Sequence, residues 1–322
     1  MSLRILGTGS ALPEKRVSNE ELTRLVDTSD EWIVTRTGIR ERRVQTSESL
    51  TELGAKAALA ALENAGAEKE SVDLVLCTTV RGDAVTPGQA CLIERELDLH
   101  CPAFDINAAC AGFVFALHLS AAYLAAGAFR RILVISAESM SSLCDWTDRA
   151  TCVLFGDGAA AALLERGDSL VDIQLLCQPD GGELLYAGAP HGNSPFRLGE
   201  EKSPFLYMNG QEVYKFAVHA SVDGLRALLE KNGVSPDQVD HYLLHQANYR
   251  ILEAARTRLR QPREKFPLTL DGCGNTSSSS LPILLDSLNR SGKLKKGQLL
   301  AMSAFGAGLS AGTALLRWDK ED

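Results

Sequence analysis

The sequence predicts a layered α/β protein made from one unit written twice. Two observations carry this. First, landmarks recur at a constant offset of 167 residues: Gly66 and Gly233 each close a helical stretch, Val72-Asp73 and Val239-Asp240 each open an apolar strand, and Ser136 and Ser303 occupy matching places in residues 132–137 and 298–304. Second, helical runs alternate with short apolar runs along each unit, the pattern of sheets buried between helices.

The elements follow in order. Gly66 stops an Ala/Leu-rich helix over 49–65, and Val72-Asp73 then opens a strand over 73–79. A helix over 87–97 and a strand over 102–107 lead to a helix over 111–127 that is apolar nearly all round, which places it between layers. Strands over 131–137 and 158–165 complete the first unit. Residues 179–209, rich in Gly and Pro, read as an excursion joining the halves, which divide as 1–166 and 167–322. The second unit repeats the alternation, with helices over 210–232, 248–260 and 278–291 and strands over 240–245, 266–270, 298–304 and 312–318. A Ser/Thr run, Thr276-Ser277-Ser278, suits the N-cap of the last helix.

Bulk properties narrow the class. A chain of 322 residues with 45% hydrophobic and 23% charged residues is an ordinary globular composition. The net charge of −8 argues against nucleic acid as the main partner. No apolar run is read as reaching the ~18 residues of a membrane span, so no membrane partner is expected. The start, Met1 to Gly7, lacks a signal peptide's apolar region, and the expected location is the cytoplasm. The eight cysteines form no Cys-x-x-Cys pair, so zinc and thioredoxin-like readings are weak and most are expected as reduced thiols. No metal or cofactor is expected.

Three segments carry the chemistry: Asn107-Ala108-Ala109-Cys110-Ala111-Gly112, Leu244-His245-Gln246-Ala247-Asn248 and Gly274-Asn275-Thr276-Ser277-Ser278. Each sets one reactive side chain where a strand gives way to a turn or helix. Cys110 opens the buried helix, where free N–H groups and the macrodipole favour an anion and are expected to lower the thiol pKa. His245 ends a strand, at the rim of a sheet where open α/β folds place their sites. Asn275 offers a neutral N–H donor at every physiological pH. Taken singly, these residues have plain alternatives: a core cysteine, a satisfied histidine, a Gly-Asn turn. Taken together they are a nucleophile with two polar partners for a developing charge, which suggests acyl transfer through a thioester. His241 and His245 would lie ~13 Å apart on a strand, which excludes a shared metal.

Two motifs mislead. Gly308-Leu309-Ser310-Ala311-Gly312 matches G-x-S-x-G, but a strand follows it and no His occurs after His245. Gly7-x-Gly9 lacks the third glycine of a dinucleotide loop.

These residues, read with others, resemble the β-ketoacyl-acyl carrier protein synthase III family of the thiolase superfamily, the initiating condensing enzymes of bacterial fatty-acid synthesis. The resemblance runs from about residue 3 to 318. It includes Thr28-Ser29-Asp30-Glu31-Trp32-Ile33, Thr35-Arg36-Thr37-Gly38-Ile39, the Cys110 segment through Phe113, Phe155-Gly156-Asp157-Gly158-Ala159, Met208-Asn209-Gly210, Glu212-Val213, His245-Gln246-Ala247-Asn248 with Arg250-Ile251, and Gly274-Asn275-Thr276-Ser277. It implies a thiolase-like five-layered αβαβα fold with a duplicated half, a homodimer, and the substrates acyl-CoA and malonyl-acyl carrier protein. By the same resemblance Cys110 takes up the acyl group, while His245 and Asn275 hold the malonyl thioester carbonyl through decarboxylation. The backbone N–H groups of Cys110 and Ala307 form the oxyanion hole. CoA contacts fall to Thr28, Trp32, Arg36, Arg149, Gly210 and Ala247. Carrier-protein contacts fall to Gln246, Ala247, Asn248, Tyr249, Arg250, Arg256 and Arg258. A cationic run supports this: residues 250–265 hold six Lys/Arg against two carboxylates in an otherwise acidic chain.

Departures from the family pattern bear on the starter group. Thr86 stands where a bulky aromatic is frequent at the partner subunit's pocket, and Ala311 stands where many relatives have Trp. A smaller Thr86 suits longer or branched acyl chains. Two other functions fit less well: a ketosynthase III-like acyltransferase of secondary metabolism, which keeps the same three residues, and a non-catalytic acyl-binding dimer partner, which would lose Cys110. A degradative thiolase would need a second cysteine near the C-terminal glycine-rich segment, which has none.

Overall fold

A computed structural model of the chain describes residues 3–188, 196 and 202–320. Thirteen strands are described: β1 (Arg4–Ala11), β2 (Arg16–Ser18), β3 (Glu41–Arg43), β4 (Leu74–Thr78), β5 (Ala103–Ile106), β6 (Arg131–Ser139), β7 (Asp157–Glu165), β8 (Leu170–Cys177), β9 (Leu185–Ala187), β10 (Leu206–Met208), β11 (His241–Leu244), β12 (Leu299–Gly306) and β13 (Ser310–Arg317). The α-helices are α1 (Asn19–Leu22), α2 (Asp30–Thr37), α3 (Leu50–Ala65), α4 (Gln89–Glu96), α5 (Gly112–Ala126), α6 (Gly210–Lys231), α7 (Tyr249–Leu259), α8 (Leu270–Cys273) and α9 (Ser280–Arg290).

Two mixed sheets repeat one topology. The first runs β1-β7-β6-β4-β5 and the second β8-β13-β12-β11. Within each, the pair β6/β4 or β12/β11 is parallel and the remaining matched pairs are antiparallel. The repetition reaches single hydrogen bonds. Asp73 Oδ2 accepts the Arg131 N–H at 3.0 Å, and Asp240 Oδ2 accepts the Leu299 N–H at 2.7 Å. Both helix-closing glycines, Gly66 and Gly233, are left-handed, with φ of 59° and 64°.

The layers are αβαβα. Helices α3 and α4 cover the outer face of the first sheet, α5 and α9 lie between the sheets, and α6 and α7 cover the second. Glycines let the outermost helix approach closely. A Cβ on Gly9 would stand 2.3 Å from the Ala57 carbonyl of α3, and one on Gly7 would stand 2.4 Å from that of Ala61. The Gly7-x-Gly9 pair therefore serves strand–helix packing.

Helix α5 corrects one expectation. The stretch Ala109–Ala126 is 18 residues long with mean hydropathy 1.7, so a run of membrane-spanning length and composition does exist. Its apolar face is spent inside the molecule: Phe113, Val114, Ala116, Leu117, Ala121 and Leu124 are buried in the core between the sheets.

The strand expected over 266–270 is absent. That segment is irregular and ends in α8, so the second sheet has no counterpart of β5. The Gln246 side chain substitutes for a strand neighbour: its Oε1 accepts the Thr269 N–H at 3.1 Å and the Leu270 N–H at 3.3 Å. Of the 179–209 excursion, β9 and β10 form a two-stranded ribbon, while residues 189–195 and 197–201 lie outside the described residues.

Candidate active site

Cys110 is placed by a turn that the chain makes with difficulty. Residues Ala109–Ala111 form a single 3-10 turn between β5 and α5, and Ala109 has a positive φ of 45°. The result aims Cys110 into a cavity of about 1210 Å³, which His245, Asn275, Gly306 and Ala307 also line. Gly306 is needed there, because a Cβ would stand 2.6 Å from the Cys110 nitrogen. The next residue, Ala307, is fastened through its carbonyl, which accepts from Ser310 Oγ at 2.9 Å. That contact gives Ser310, the centre of the misleading G-x-S-x-G match, a structural use.

His245 follows β11 and continues its pairing with β12, donating its N–H to the Ser303 carbonyl at 2.8 Å. Its ring packs edge-on to Phe305 at 5.1 Å, and Nδ1 lies 2.6 Å from Ser280 Oγ. Burial drives the imidazole down to about 3, so it is neutral. Asn275 is held by an isolated bridge to Phe155. Its Oδ1 accepts the Ser277 N–H at 2.9 Å, which fixes the amide so that the NH₂ faces away from its own turn. All three reactive residues thus meet at one cavity, brought from both halves of the chain.

The thiol differs from expectation. Burial pushes Cys110 up to about 12, against a smaller downward pull from the Ser277 hydroxyl. Desolvation is the largest influence on the resting thiol, opposite in direction to the lowered pKa read from the sequence. Glu138, fully buried on β6, is lifted by burial to about 7.

The inner cavity wall is apolar, with Val80, Met140, Val153, Leu185, Leu206 and Phe305 among its residues. Its mouth is cationic. Arg36 and Arg149 stand 5.4 and 4.9 Å from the Trp32 ring centroid, a pair of guanidinium groups on one indole. Gly210, Ala247, Asn248, Tyr249, Arg250 and Arg258 also line the cavity. Thr28 does not. It neighbours Asp27, whose carbonyl accepts from Arg149 Nη1 at 2.6 Å.

Two of the expected carrier-protein residues are committed elsewhere. Gln246 is buried, with its amide bonded to the Leu244 carbonyl and to the Thr269 and Leu270 N–H groups, so it holds the loop beside the site. Arg256 binds Glu253 at 2.9 Å and the Gln261 carbonyl at 3.2 Å. Exposed Arg250, Arg258 and Arg260 have no ion pair among the described residues and make the cationic face. Sequence reasoning missed Glu138, Ser277 and Ser280. Ser277 stood in a Ser/Thr run read as a cap, Ser280 fell inside the helix expected over 278–291, and Glu138 lies on a strand whose apolar neighbours gave no sign of a buried carboxylate.

Known proteins resemble this chain along nearly its whole length. Family models described as 3-oxoacyl-[acyl-carrier-protein (ACP)] synthase III and its C-terminal part match residues 104–179 and 229–318. Beta-ketoacyl-[acyl-carrier-protein] synthase III of Clostridium acetobutylicum is 41% identical over 99% of both chains. The protein of that name from Synechococcus sp. (strain WH7803) is 46% identical over 99% of this chain and 96% of its own. Among solved structures, 3-oxoacyl-[acyl-carrier-protein] synthase III from Aquifex aeolicus superposes with a TM-score of 0.91 at 39% identity, covering 98% of this chain and 100% of that one. The priming beta-ketosynthase of the R1128 polyketide pathway superposes at 0.93 with 34% identity, covering 99% and 97%.

Proposed function

The chain belongs to the 3-oxoacyl-[acyl-carrier-protein] synthase III family, and from that premise we propose a division of labour among its residues. The reaction is the initiating condensation of fatty-acid synthesis. An acyl-CoA starter condenses with malonyl-acyl carrier protein, releasing CoA and CO₂ and leaving 3-oxoacyl-acyl carrier protein. Cys110 attacks the acyl-CoA thioester and keeps the acyl group. His245 and Asn275 donate hydrogen bonds to the malonyl thioester carbonyl, so that loss of CO₂ leaves a stabilised enolate. That carbanion attacks the acyl-Cys110 carbonyl, whose oxyanion faces the Cys110 and Ala307 N–H groups. The cationic mouth, with Trp32, Arg36 and Arg149, receives the CoA nucleotide, and Arg250 and Arg258 meet an acidic carrier protein. No step needs a cofactor.

The observation that carries this reading is the convergence of Cys110, His245 and Asn275 on one apolar cavity with a cationic mouth. Intact-protein mass after incubation with a panel of acyl-CoAs tests it. The expected result is an acyl adduct on wild type and none on Cys110→Ala. No adduct with any chain length sinks the reading. The same panel names the starter group. A second reading, a priming ketosynthase of secondary metabolism, is favoured by the likeness to the R1128 protein and by the small Thr86; its mark is a preference for longer or branched starters.

The working form is a cytoplasmic homodimer. Strand β5 is an open sheet edge, and Phe104 on it and Val85 nearby are 38% and 91% exposed. Phe115, Leu119 and Tyr123 of α5 are only partly covered. An unpaired edge beside apolar side chains is the kind of surface a symmetric partner buries.

A further inference from the structure

We infer that Ser277 and Glu138 form a proton relay that takes the Cys110 proton during acyl-enzyme formation, an inference that rests on the acyl-transfer reading above. The Ser277 hydroxyl is fully buried and has no hydrogen-bond partner. Such orphans are uncommon and call for a reason. It lines the same cavity as Cys110 and Asn275. Its backbone is held in a left-handed conformation, φ 52°, by the Asn275 amide oxygen. The turn that carries it, Ser277–Ser279, packs against both the Ala109–Ala111 turn and β6, the strand of Glu138. Although outside hydrogen-bonding geometry at rest, the hydroxyl draws both the Cys110 thiol and the Glu138 carboxyl downward.

Glu138 is built in as an acceptor. Its Oε1 takes the Ser278 hydroxyl at 2.6 Å and the Ser278 N–H at 3.3 Å, and its Oε2 takes the Val80 N–H at 2.9 Å. Thr78 Oγ1 adds a further bond to Ser278 Oγ at 3.0 Å. The start of α5 is packed against the same cluster, since a Cβ on Gly112 would stand 3.0 Å from Thr78 Cβ and 3.2 Å from Ser278 Cβ. The titratable groups facing Glu138 are thiols, Cys110 on the nucleophile turn and Cys77 on β4, with no cation among its influences.

A buried neutral thiol must lose its proton as sulfur attacks. His245, at about 3, is a poor acceptor, whereas Glu138, at about 7, is a better one. The thiol proton passes to Ser277 Oγ as the Ser277 proton passes to the Glu138 carboxylate. The sulfur electron pair forms a C–S bond at the thioester carbonyl, and the C–S bond to CoA breaks. The CoA thiolate then takes its proton from Glu138 by the reverse passage through Ser277.

Ser277→Ala is the direct test, because it leaves the bonds from Ser278 and Val80 to Glu138 in place. Acyl-enzyme formation is followed by intact mass from pH 5.5 to 9, with thermal midpoints as a check on folding. Wild type is expected to acylate at a rate that rises through pH 7 and then levels. Ser277→Ala is expected to keep its midpoint, acylate at least about tenfold more slowly and lose the break near pH 7. Glu138→Gln is expected to share the slow, pH-insensitive phenotype. Wild-type rates in Ser277→Ala overturn the relay, as does a wild-type rate that climbs without a plateau to pH 9. A wild type that takes no acyl group from any acyl-CoA overturns the acyl-transfer reading instead.

Discussion

Ser280 Oγ stands 2.6 Å from His245 Nδ1 and also accepts the Gln246 N–H at 3.3 Å. With one lone pair spent on that N–H, the serine hydrogen points to Nδ1 in the arrangement that satisfies both groups. The imidazole proton then sits on Nε2, and His245 is a donor, suited to an enolate oxygen. Ser280→Ala frees the tautomer. Malonyl decarboxylation should fall about fivefold, the worth of one hydrogen bond of about 1 kcal/mol, while Cys110 acylation changes less. CO₂ release and intact mass, measured side by side, decide it; equal losses in both would mean Ser280 only supports packing.

Asn275 is oriented by the Ser277 N–H, so Asp at this position keeps the acceptor and loses the donor. Asn275→Asp and Asn275→Ala should each cost about 10²-fold or more in decarboxylation and leave acylation partly intact. If both activities survive Asn275→Ala, Asn275 is not an enolate donor.

The neutral state of His245 gives a pH prediction with a definite sign. Its folded pKa, about 3, lies below the usual imidazole value of 6.5. Between those values the unfolded chain binds a proton that the folded chain does not, so this group makes the protein less stable as pH falls from 6.5 toward 3. Denaturant midpoints at pH 7.5 and 5 should therefore separate more in wild type than in His245→Asn. Decarboxylation by pre-acylated enzyme should show no histidine titration near 6.5.

Packing of α3 on β1 leaves no room for a methyl group. Gly9→Ala puts carbon 2.3 Å from a helix carbonyl and should destabilise the fold by about 1–3 kcal/mol. Urea unfolding measures this, and an unchanged midpoint would contradict the close approach of helix and strand.

The cationic face separates free from committed arginines. Arg250→Glu should weaken the carrier-protein substrate, raising its KM about tenfold in a salt-dependent way. Arg256→Ala should change that KM by less than about threefold, because its guanidinium is already bound to Glu253 and Gln261. Steady-state kinetics at two ionic strengths distinguish them.

Much of the architecture was legible because the duplication left marks that chemistry enforces. Gly66 and Gly233 stop helices, and Asp73 and Asp240 cap the same hydrogen bond. The six expected helices lie within two or three residues of α3, α4, α5, α6, α7 and α9. Strands failed where side chains do the work of backbone. Residues 266–270 are apolar like a strand, yet the Thr269 and Leu270 N–H groups are taken by Gln246. Strand β1 was hidden by glycines that exist for α3. Within the site, residues with unusual side-chain chemistry were found, while Ser280, Ser277 and Glu138 were not. A serine in a Ser/Thr run looks like a cap, and burial of a carboxylate is decided by residues distant in sequence.

The two positive-φ residues at Ala109 and Ser277 occupy equivalent turns ahead of α5 and α9. One elbow carries the nucleophile, and its copy carries the hydroxyl beside that nucleophile. Catalysis here is a conversation between a turn and its own duplicate. Because the two turns share one backbone path, each can carry a different side chain to the same cavity without any change in the backbone that presents it.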